Sequence, residues 1–199
     1  MRCSSLFAFT FAALATMFVA QAGPPLICHP YNIGEAKSLP WGTGPGWDAK
    51  DPSYNVQNLT RDTLAILDRG APVLVRMETL RRAVMYGVDN HQAARTLVAA
   101  LKERSGRASA LAYFDYGYLL ASLKQIQWLY KEDLTAGVDG YAFVQKALAI
   151  EPDSAEMHFA AAIMTSDPRR PAERDAHLAK VRAAKGDALL AANLDSHIR

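Results

Sequence analysis

The sequence predicts an all-α fold. From Asn58 onward, apolar residues recur at spacings of three and four, which is the periodicity of amphipathic helices. Capping residues, glycines and prolines separate these periodic segments, and no segment has the alternating pattern of a strand. We expect three divisions of the 199 residues: a signal peptide over 1–22, an extended arm over 23–57 and one helical domain over 58–199.

The first 22 residues have the features of an export signal. Arg2 precedes an apolar run from Leu6 to Ala20, and the small-x-small pattern of residues 20–22 follows it. We therefore expect cleavage near Ala22 and a periplasmic or secreted protein. The run is shorter than the roughly 20 apolar residues of a membrane-spanning helix, although an uncleaved anchor stays open as an alternative. A lipid anchor is excluded because neither cysteine of the chain lies at the cleavage point.

Residues 23–57 are expected to form an extended arm. They contain six of the ten prolines of the chain and the glycine-rich stretch 41–47, a composition that excludes a long helix. Aliphatic and aromatic residues in the arm are expected to dock it onto the helices as structural anchors; these are Leu26, Ile27, Trp41 and Trp47.

Seven helices are predicted after the arm. The first runs from about Thr60 to Arg69, and the second begins at Pro72, which suits a first helical turn. Asp89 or Asn90 caps the third, which ends near Arg104. The remaining four are expected at about 108–130, 137–150, 154–165 and 171–193, the last of them with a break at Gly186.

The fourth predicted helix is apolar on nearly every face, which is typical of a buried central helix. Gly117 lies in its middle, where glycine costs about 1 kcal/mol in helix propensity relative to alanine. We expect this cost to be offset by the close approach of a neighbouring helix at Gly117.

Residues 141–155 resemble the second helix of a tetratricopeptide repeat, its closing proline and the start of the next repeat. In this segment Ala147 is a small packing residue, Pro152 ends the helix, and Asp153 or Ser154 caps the following helix. Gly117 with Tyr118 resembles the glycine and aromatic of a first repeat helix, although the spacing to Pro152 is longer than in the regular repeat. The resemblance covers about residues 108–193. It implies antiparallel helix pairs in a right-handed stack, and an irregular helical bundle is the alternative.

Charge and composition identify no partner. The formal net charge of +2 gives neither the basic excess typical of nucleic-acid binding nor an acidic excess for cations. No metal site or cofactor is predicted. Glu173 and His177 lie four residues apart on one helix, but two ligands do not make a metal site, and we expect an exposed ion pair instead.

Cys28 and His29 are the candidate catalytic residues. Removal of the leader takes Cys3 with it and leaves Cys28 as a single cysteine in an oxidising compartment. A thiol beside an imidazole forms a nucleophilic pair in some enzymes, but adjacent residues of an extended segment point to opposite sides. Metal or haem ligation, a homodimer linked through Cys28 and a buried structural thiol are the alternatives.

The leading hypothesis for function is an exported, non-enzymatic protein-interaction module that binds a peptide or protein partner. The resemblance to helical repeats implies a groove lined by exposed polar or aromatic residues of the inner helices. The residues predicted to bind are Tyr113, Asp115, Tyr116 and Gln127. The alternative is an exported enzyme, redox protein or metal-binding protein centred on Cys28, so whether the protein is an enzyme stays open.

Overall fold

Nine α-helices and one short 3-10 helix form the regular secondary structure of residues 24–44, 46–167 and 169–198, which the computed structural model describes. No strand occurs among these residues. The 3-10 helix covers Val56–Asn58, and the α-helices are α1 (Leu59–Asp68), α2 (Val73–Asp89), α3 (His91–Ser105), α4 (Ala110–Gln125), α5 (Gln127–Tyr130), α6 (Gly140–Ile150), α7 (Ala155–Met164), α8 (Pro171–Ala183) and α9 (Ala188–His197). None of these helices has both the length and the apolar character needed to cross a membrane. The predicted signal peptide and its cleavage point at Ala22 lie outside the described residues.

Local capping explains where several helices begin. The side chain of Asn90 accepts a hydrogen bond from the backbone N–H of Ala93, and Ser154 in the same way accepts one from Met157. Each bond satisfies one of the backbone donors that the first helical turn leaves unpaired. Pro171 occupies the first turn of α8, where its missing N–H has no cost. The predicted caps at Asn90 and Ser154 are confirmed.

Two predicted helix bounds differ from the structure. The fourth predicted helix is broken at Ile126 into α4 and α5, and α5 ends at Lys131 in the left-handed conformation. A tertiary contact accompanies this break, because the hydroxyl of Tyr130 donates to the carbonyl of Val84 on α2. The fifth predicted helix begins at Gly140, three residues later than expected. The predicted break at Gly186 is confirmed: its φ of +92° lies in the region that favours glycine.

The helices from α2 to α8 form three consecutive packed pairs. Helix α2 packs against α3, α4 against α6, and α7 against α8. The second helix of each pair also contacts the first helix of the next pair, and the first helices contact one another, α2 with α4 and α4 with α7. Helix α4 is consequently enclosed by neighbours and buries most of its side chains, as its apolar character predicts.

The closest crossing joins α4 and α6 at two glycines. A Cβ atom added to Gly117 would lie 2.5 Å from the carbonyl oxygen of Gly140 and 2.8 Å from the Cβ of Phe143. A Cβ added to Gly140 would in turn collide with the carbonyl oxygen of Gly117 and lie 2.7 Å from the backbone nitrogen of Ala121. The expectation that a neighbouring helix approaches closely at Gly117 is confirmed. The neighbour is α6, and Gly140 is the residue that faces Gly117.

Described residues 24–44 and 46–55, named here the N-terminal segment, contain no helix and cross the faces of α2, α4 and α9. Leu26 and Ile27 are fully buried in the core, whereas Trp41 and Trp47 are half-buried against it. The backbone N–H of Leu26 donates to the side chain of Gln125 on α4. The segment therefore contributes to the hydrophobic core and is held along its length by helix side chains.

A buried cluster of charges on α2 holds the main chain of the N-terminal segment. Glu78 accepts two hydrogen bonds from Arg81, one from Arg82 and one from the backbone N–H of Tyr31. Arg81 also donates to the carbonyl oxygens of Ile27 and Trp47. Arg81 and Glu78 are fully buried, so their mutual pairing and these backbone bonds together satisfy charges that would otherwise be costly to desolvate.

A second buried ion pair joins α2 to α4. Arg76 donates to one carboxylate oxygen of Asp115 at 2.6 Å, and its remaining donors bond the carbonyls of Leu67 and Ala71. The other oxygen of Asp115 is buried without a hydrogen-bond partner. Burial raises the pKa of Asp115 to about 6, against the opposing effect of Arg76.

Candidate functional site

The residues predicted to bind a partner do not form one exposed surface. Asp115 and Tyr116 are buried, with exposures of 1% and 3%, so the expectation that they are exposed is wrong. The physical reason is that α4 is covered by α2, which supplies the ion-pair partner of Asp115, and by α6, whose Phe143 packs edge-to-face on Tyr116. Neither side chain is accessible to a partner at the surface.

Tyr113 and Gln127 are half-buried and lie on different elements, α4 and α5. The ring of Tyr113 lies beside that of Phe143, and the amino group of Lys146 lies 5.7 Å from its centre. Gln127 accepts a hydrogen bond from Lys124. A binding role for these two residues stays a prediction.

Cys28 and His29 do not have the surroundings of a catalytic pair. Cys28 is a half-buried free thiol, and burial raises its pKa although Arg81 opposes this effect. Burial and the neighbouring His197 lower the pKa of His29, and its Nε2 atom is buried without a hydrogen-bond partner. A nucleophilic cysteine needs a lowered pKa, so the direction of the shift at Cys28 disfavours the enzyme hypothesis.

Alkylation of Cys28 tests this conclusion directly. In a Cys3→Ser variant, in which Cys28 is the single thiol of the chain, we expect iodoacetamide to react slowly at pH 7. The rate should still be rising with pH above the ordinary thiol pKa of about 8.5, because the thiolate is the reacting form. Labelling followed by mass spectrometry gives the profile, with a short cysteine peptide as the control. A rate that reaches its plateau below pH 8 would contradict the raised pKa.

A cavity of about 670 Å³ lies beside the crossing of α4 and α6, and we name it the cleft. Its walls come from α4, from the turn before α6 and from the α7–α8 connection. The apolar lining residues are Leu26, Leu120, Ala121, Val138, Tyr141 and Met164; the polar ones are Lys124, Gln125, Thr135, Asp139, Asp167, Arg169 and Arg170, with Gly137 and Gly140 completing the wall. The combination of an apolar floor with a few polar groups is typical of ligand sites.

Two cations of the cleft have only long ion pairs, although Lys124 also donates a hydrogen bond to the amide oxygen of Gln127. The Lys124 amino group lies 3.8 Å from the carboxylate of Asp133, and Arg170 lies 3.6 Å from that of Glu173. Both side chains are about half exposed, so such long ion pairs contribute little and leave the cations accessible. The two carboxylates that line the cleft have partners of their own and do not pair with Lys124 or Arg170: Asp139 caps α6, and Asp167 binds Arg169.

One wall of the cleft continues into a chain of hydrogen bonds through two histidines. The hydroxyl of Tyr141, on α6, lies 2.8 Å from Nε2 of His177 on α8. Nδ1 of His177 lies 2.8 Å from Nδ1 of His158 on α7, whose Nε2 lies 2.9 Å from the carbonyl oxygen of Pro152. His177 therefore bonds Tyr141 and His158, and the expected ion pair with Glu173 does not form among the described contacts.

The described part of the chain contains no group of three or more histidine, cysteine, aspartate or glutamate side chains arranged to hold a metal ion. Comparison with known protein families, characterised proteins and solved structures gives no significant match. Function must accordingly be inferred from the geometry of the chain itself.

Sequence reasoning missed the cleft, since none of the six candidate site residues lines it. Two local signals were present. One is the turn Gly137-Val138-Asp139-Gly140, which places a helix start and two glycines together, and the other is Arg169-Arg170 directly before Pro171. Neither signal alone indicates that the two segments meet.

Proposed function

We propose that this protein is an exported, non-enzymatic interaction module that binds an extended, acidic peptide segment of a partner protein in the cleft. The observation that carries the proposal is the cleft itself, an accessible cavity with an apolar floor and two weakly paired cations, Lys124 and Arg170. Export rests on the sequence of residues 1–22 alone.

The order of helix contacts supports a tetratricopeptide-like stack as the scaffold. In such a stack each helix packs against the next one along the chain, and the first helix of each pair contacts the first helix of the following pair. The pairs α2/α3, α4/α6 and α7/α8 follow this order. Pro152 and Ser154 lie at the junction between the second and third pairs, as the resemblance implies.

The N-terminal segment supports a peptide, in preference to a small molecule, as the partner. Helix side chains already bind main-chain groups of the non-helical N-terminal segment, as Arg81 does at Ile27 and Gln125 does at Leu26, in a turn that begins at Pro24. Leu26 and Gln125 also line the cleft. A peptide lying in the cleft would likewise offer main-chain groups to helix side chains, a mode of chain binding that the fold already uses.

The chemistry of the walls defines which peptide fits. Ala121, Val138 and Met164 offer contacts for an apolar side chain, while Lys124 and Arg170 favour a carboxylate beside it. Because both cations have long ion pairs, and the short hydrogen bond of Lys124 is to the neutral amide of Gln127, an incoming carboxylate can approach them without the rupture of a strong ion pair. The expected ligand is therefore a segment in which acidic and apolar residues are adjacent.

Charge reversal in the cleft tests the proposal. Twelve-residue peptides are selected from a random display library on the full chain, and their affinities are measured by isothermal titration calorimetry. We expect acidic–apolar peptides to be enriched, and a Lys124→Glu/Arg170→Glu variant to bind them at least about tenfold more weakly, a loss of about 1.4 kcal/mol. Lys102→Glu, which reverses an exposed charge on α3 away from the cleft, is the matched control and should change affinity less than twofold.

Two outcomes would overturn the proposal. One is the absence of any peptide enriched over a scrambled set. The other is enrichment of peptides whose affinities are the same for the native chain, the cleft variant and the α3 control, since those peptides would bind elsewhere.

A further inference from the structure

Helix α8 is anchored mainly by one neighbour. Helix α7 is the one described helix with which it shares an extensive interface, and only Leu178 and Val181 of its residues are buried. The connection after it contains Gly186 in the left-handed conformation. Arg169 and Arg170, immediately before α8, form part of the cleft wall. The position of α8 therefore decides whether that wall is complete.

The hydrogen bonds through the histidines fix one arrangement of protons. The carbonyl of Pro152 only accepts, so Nε2 of His158 carries a hydrogen and Nδ1 of the neutral ring is an acceptor. Nδ1 of His177 must then donate to it, which leaves Nε2 of His177 to accept from the hydroxyl of Tyr141. All three bonds are satisfied when both imidazoles are neutral. The chain joins α6, α7 and α8.

The arrangement accommodates one added proton but not two. The first, at Nε2 of His177, makes this nitrogen a donor to the Tyr141 oxygen, so that the Tyr141 proton must turn to Glu173 or Gln145, and it places a half-buried imidazolium against His158. A second, at Nδ1 of His158, sets two N–H groups and two positive charges against each other across 2.8 Å. Both changes weaken the contact between α7 and α8, where few other buried groups hold the two helices together.

We propose that His158 and His177 form an acid-sensitive latch, which holds α8 against α7 and the cleft wall in place at neutral pH and releases both on acidification. The release of α8 stands on the geometry of the histidines alone. Only its consequence, that a bound peptide dissociates at acid pH, rests on the proposed function.

The charges around the latch favour the neutral state. Glu173, on α8, favours protonation of His177, but it is exposed and also lies near Arg170. From the neighbouring elements, Tyr141 is a neutral donor, Arg170 lies over its ring, and Asp153 is paired with Lys180. Burial and the neighbouring His158 outweigh Glu173 and lower the pKa of His177.

Because the pKa of His177 is lowered by folding, acid lowers the stability of the folded state. A histidine whose pKa is lower in the folded than in the unfolded state binds fewer protons when folded. Stability from His177 is therefore complete above its unfolded pKa of about 6.5 and is lost as the pH falls through the lowered folded value.

Hydrogen exchange followed by mass spectrometry tests the latch without any peptide. After correction for the intrinsic pH dependence of exchange, we expect the protection of residues 171–183 to fall at least about tenfold between pH 7.5 and pH 5. Protection of α4 should change much less. In His177→Gln, whose side chain does not titrate, the difference in α8 protection between the two pH values should be less than twofold.

His91→Gln is the matched control, because His91 is a half-exposed histidine at the start of α3 that lies near Glu132 and not near the latch. It should behave as the native chain does. Equal losses of α8 protection in the native chain and in His177→Gln, or no loss in the native chain, would overturn the latch. These readouts are independent of peptide binding, so failure of the latch and failure of the proposed function can be told apart.

Nitrogen NMR of the native chain provides a second measurement in case His177→Gln does not fold. At pH 7.5 the ring shifts should assign the hydrogen to Nε2 in His158 and to Nδ1 in His177. The opposite pair of tautomers, or a ring of the pair that is protonated at pH 7.5, would also overturn the proposal.

Discussion

Gly117→Ala is expected to lower the free energy of unfolding by about 3 kcal/mol or more, the upper end of the range for overpacked cores. The added methyl would lie 2.5 Å from the carbonyl oxygen of Gly140, and that oxygen belongs to the backbone of α6. A backbone atom in a packed helix cannot move aside as the end of a flexible side chain can. Helix propensity acts in the opposite direction, because alanine gains about 1 kcal/mol over glycine inside a helix. Urea unfolding followed by circular dichroism measures the change in the free energy of unfolding.

Ala149→Gly is the matched control for Gly117→Ala. Ala149 lies on the exposed face of α6, so removal of its methyl should cost about 1 kcal/mol through helix propensity alone. The close crossing therefore predicts that the protein is less stable with alanine than with glycine at position 117, and more stable with alanine than with glycine at position 149. A Gly117→Ala chain as stable as the native one would contradict the close crossing of α4 and α6.

Arg76→Met is expected to cost about 3–5 kcal/mol at pH 8, the range found when one partner of a buried ion pair is removed. The substitution leaves the Asp115 carboxylate buried without its cation and removes the donors to the carbonyls of Leu67 and Ala71. Asp115→Asn should cost less, because burial already disfavours the carboxylate, whose pKa is raised to about 6.

The pH dependence of Arg76→Met follows from the same carboxyl group. A carboxyl whose pKa is higher in the folded state binds more protons when folded, so its contribution to stability decreases as the pH rises from about 4 to the folded pKa. Loss of Arg76 raises that pKa further, because the guanidinium lowers it in the native protein. We therefore expect the cost of Arg76→Met to be smaller at pH 5 than at pH 8.

A double-mutant cycle checks the pair. Arg76→Met/Asp115→Leu replaces both charges by apolar groups, and we expect it to recover most of the stability lost in Arg76→Met and to lose the additional pH dependence. Denaturant unfolding at pH 5 and pH 8 supplies the four free energies at each pH. Equal costs for Arg76→Met at the two pH values would contradict the assignment of the effect to Asp115.

The sequence predicted the helical character of the fold because its signals are local. Asn90, Ser154 and Gly186 each act on the turn of chain that contains them, so their effects can be read without knowledge of tertiary structure. The break at Ile126 has no such signal. It accompanies the bond from Tyr130 to α2, a contact that spans 46 residues.

The burial of α2 on several faces was not predicted. Its apolar stripe, which includes Met77 and Leu80, indicates one buried face, but Arg76, Glu78 and Arg81 are buried as well. Charged residues normally indicate a solvent-exposed face. Here the main chain of the N-terminal segment covers Glu78 and Arg81 and supplies hydrogen-bond partners, whereas Arg76 pairs with Asp115 of α4. The periodicity of α2 contains no signal for either partner.

The cleft was not predicted from the sequence, for a related reason. Its lining comes from three stretches of chain, around Leu26, around residues 120–141 and around residues 164–170. Each stretch looks like an ordinary helix or turn. Only the crossing of α4 and α6 and the position of α8 bring them together, and these depend on tertiary packing.

The bonds between the N-terminal segment and α9 constrain the order in which the protein folds. Asn32 exchanges two hydrogen bonds with Asn193, which lies 161 residues later in the chain. A ribosome that adds about 5–20 residues per second needs roughly 8–32 s to make that interval. The contacts of Leu26 and Ile27 with α2 and α4 can therefore form before the bonds between Asn32 and Asn193, which require nearly the whole chain.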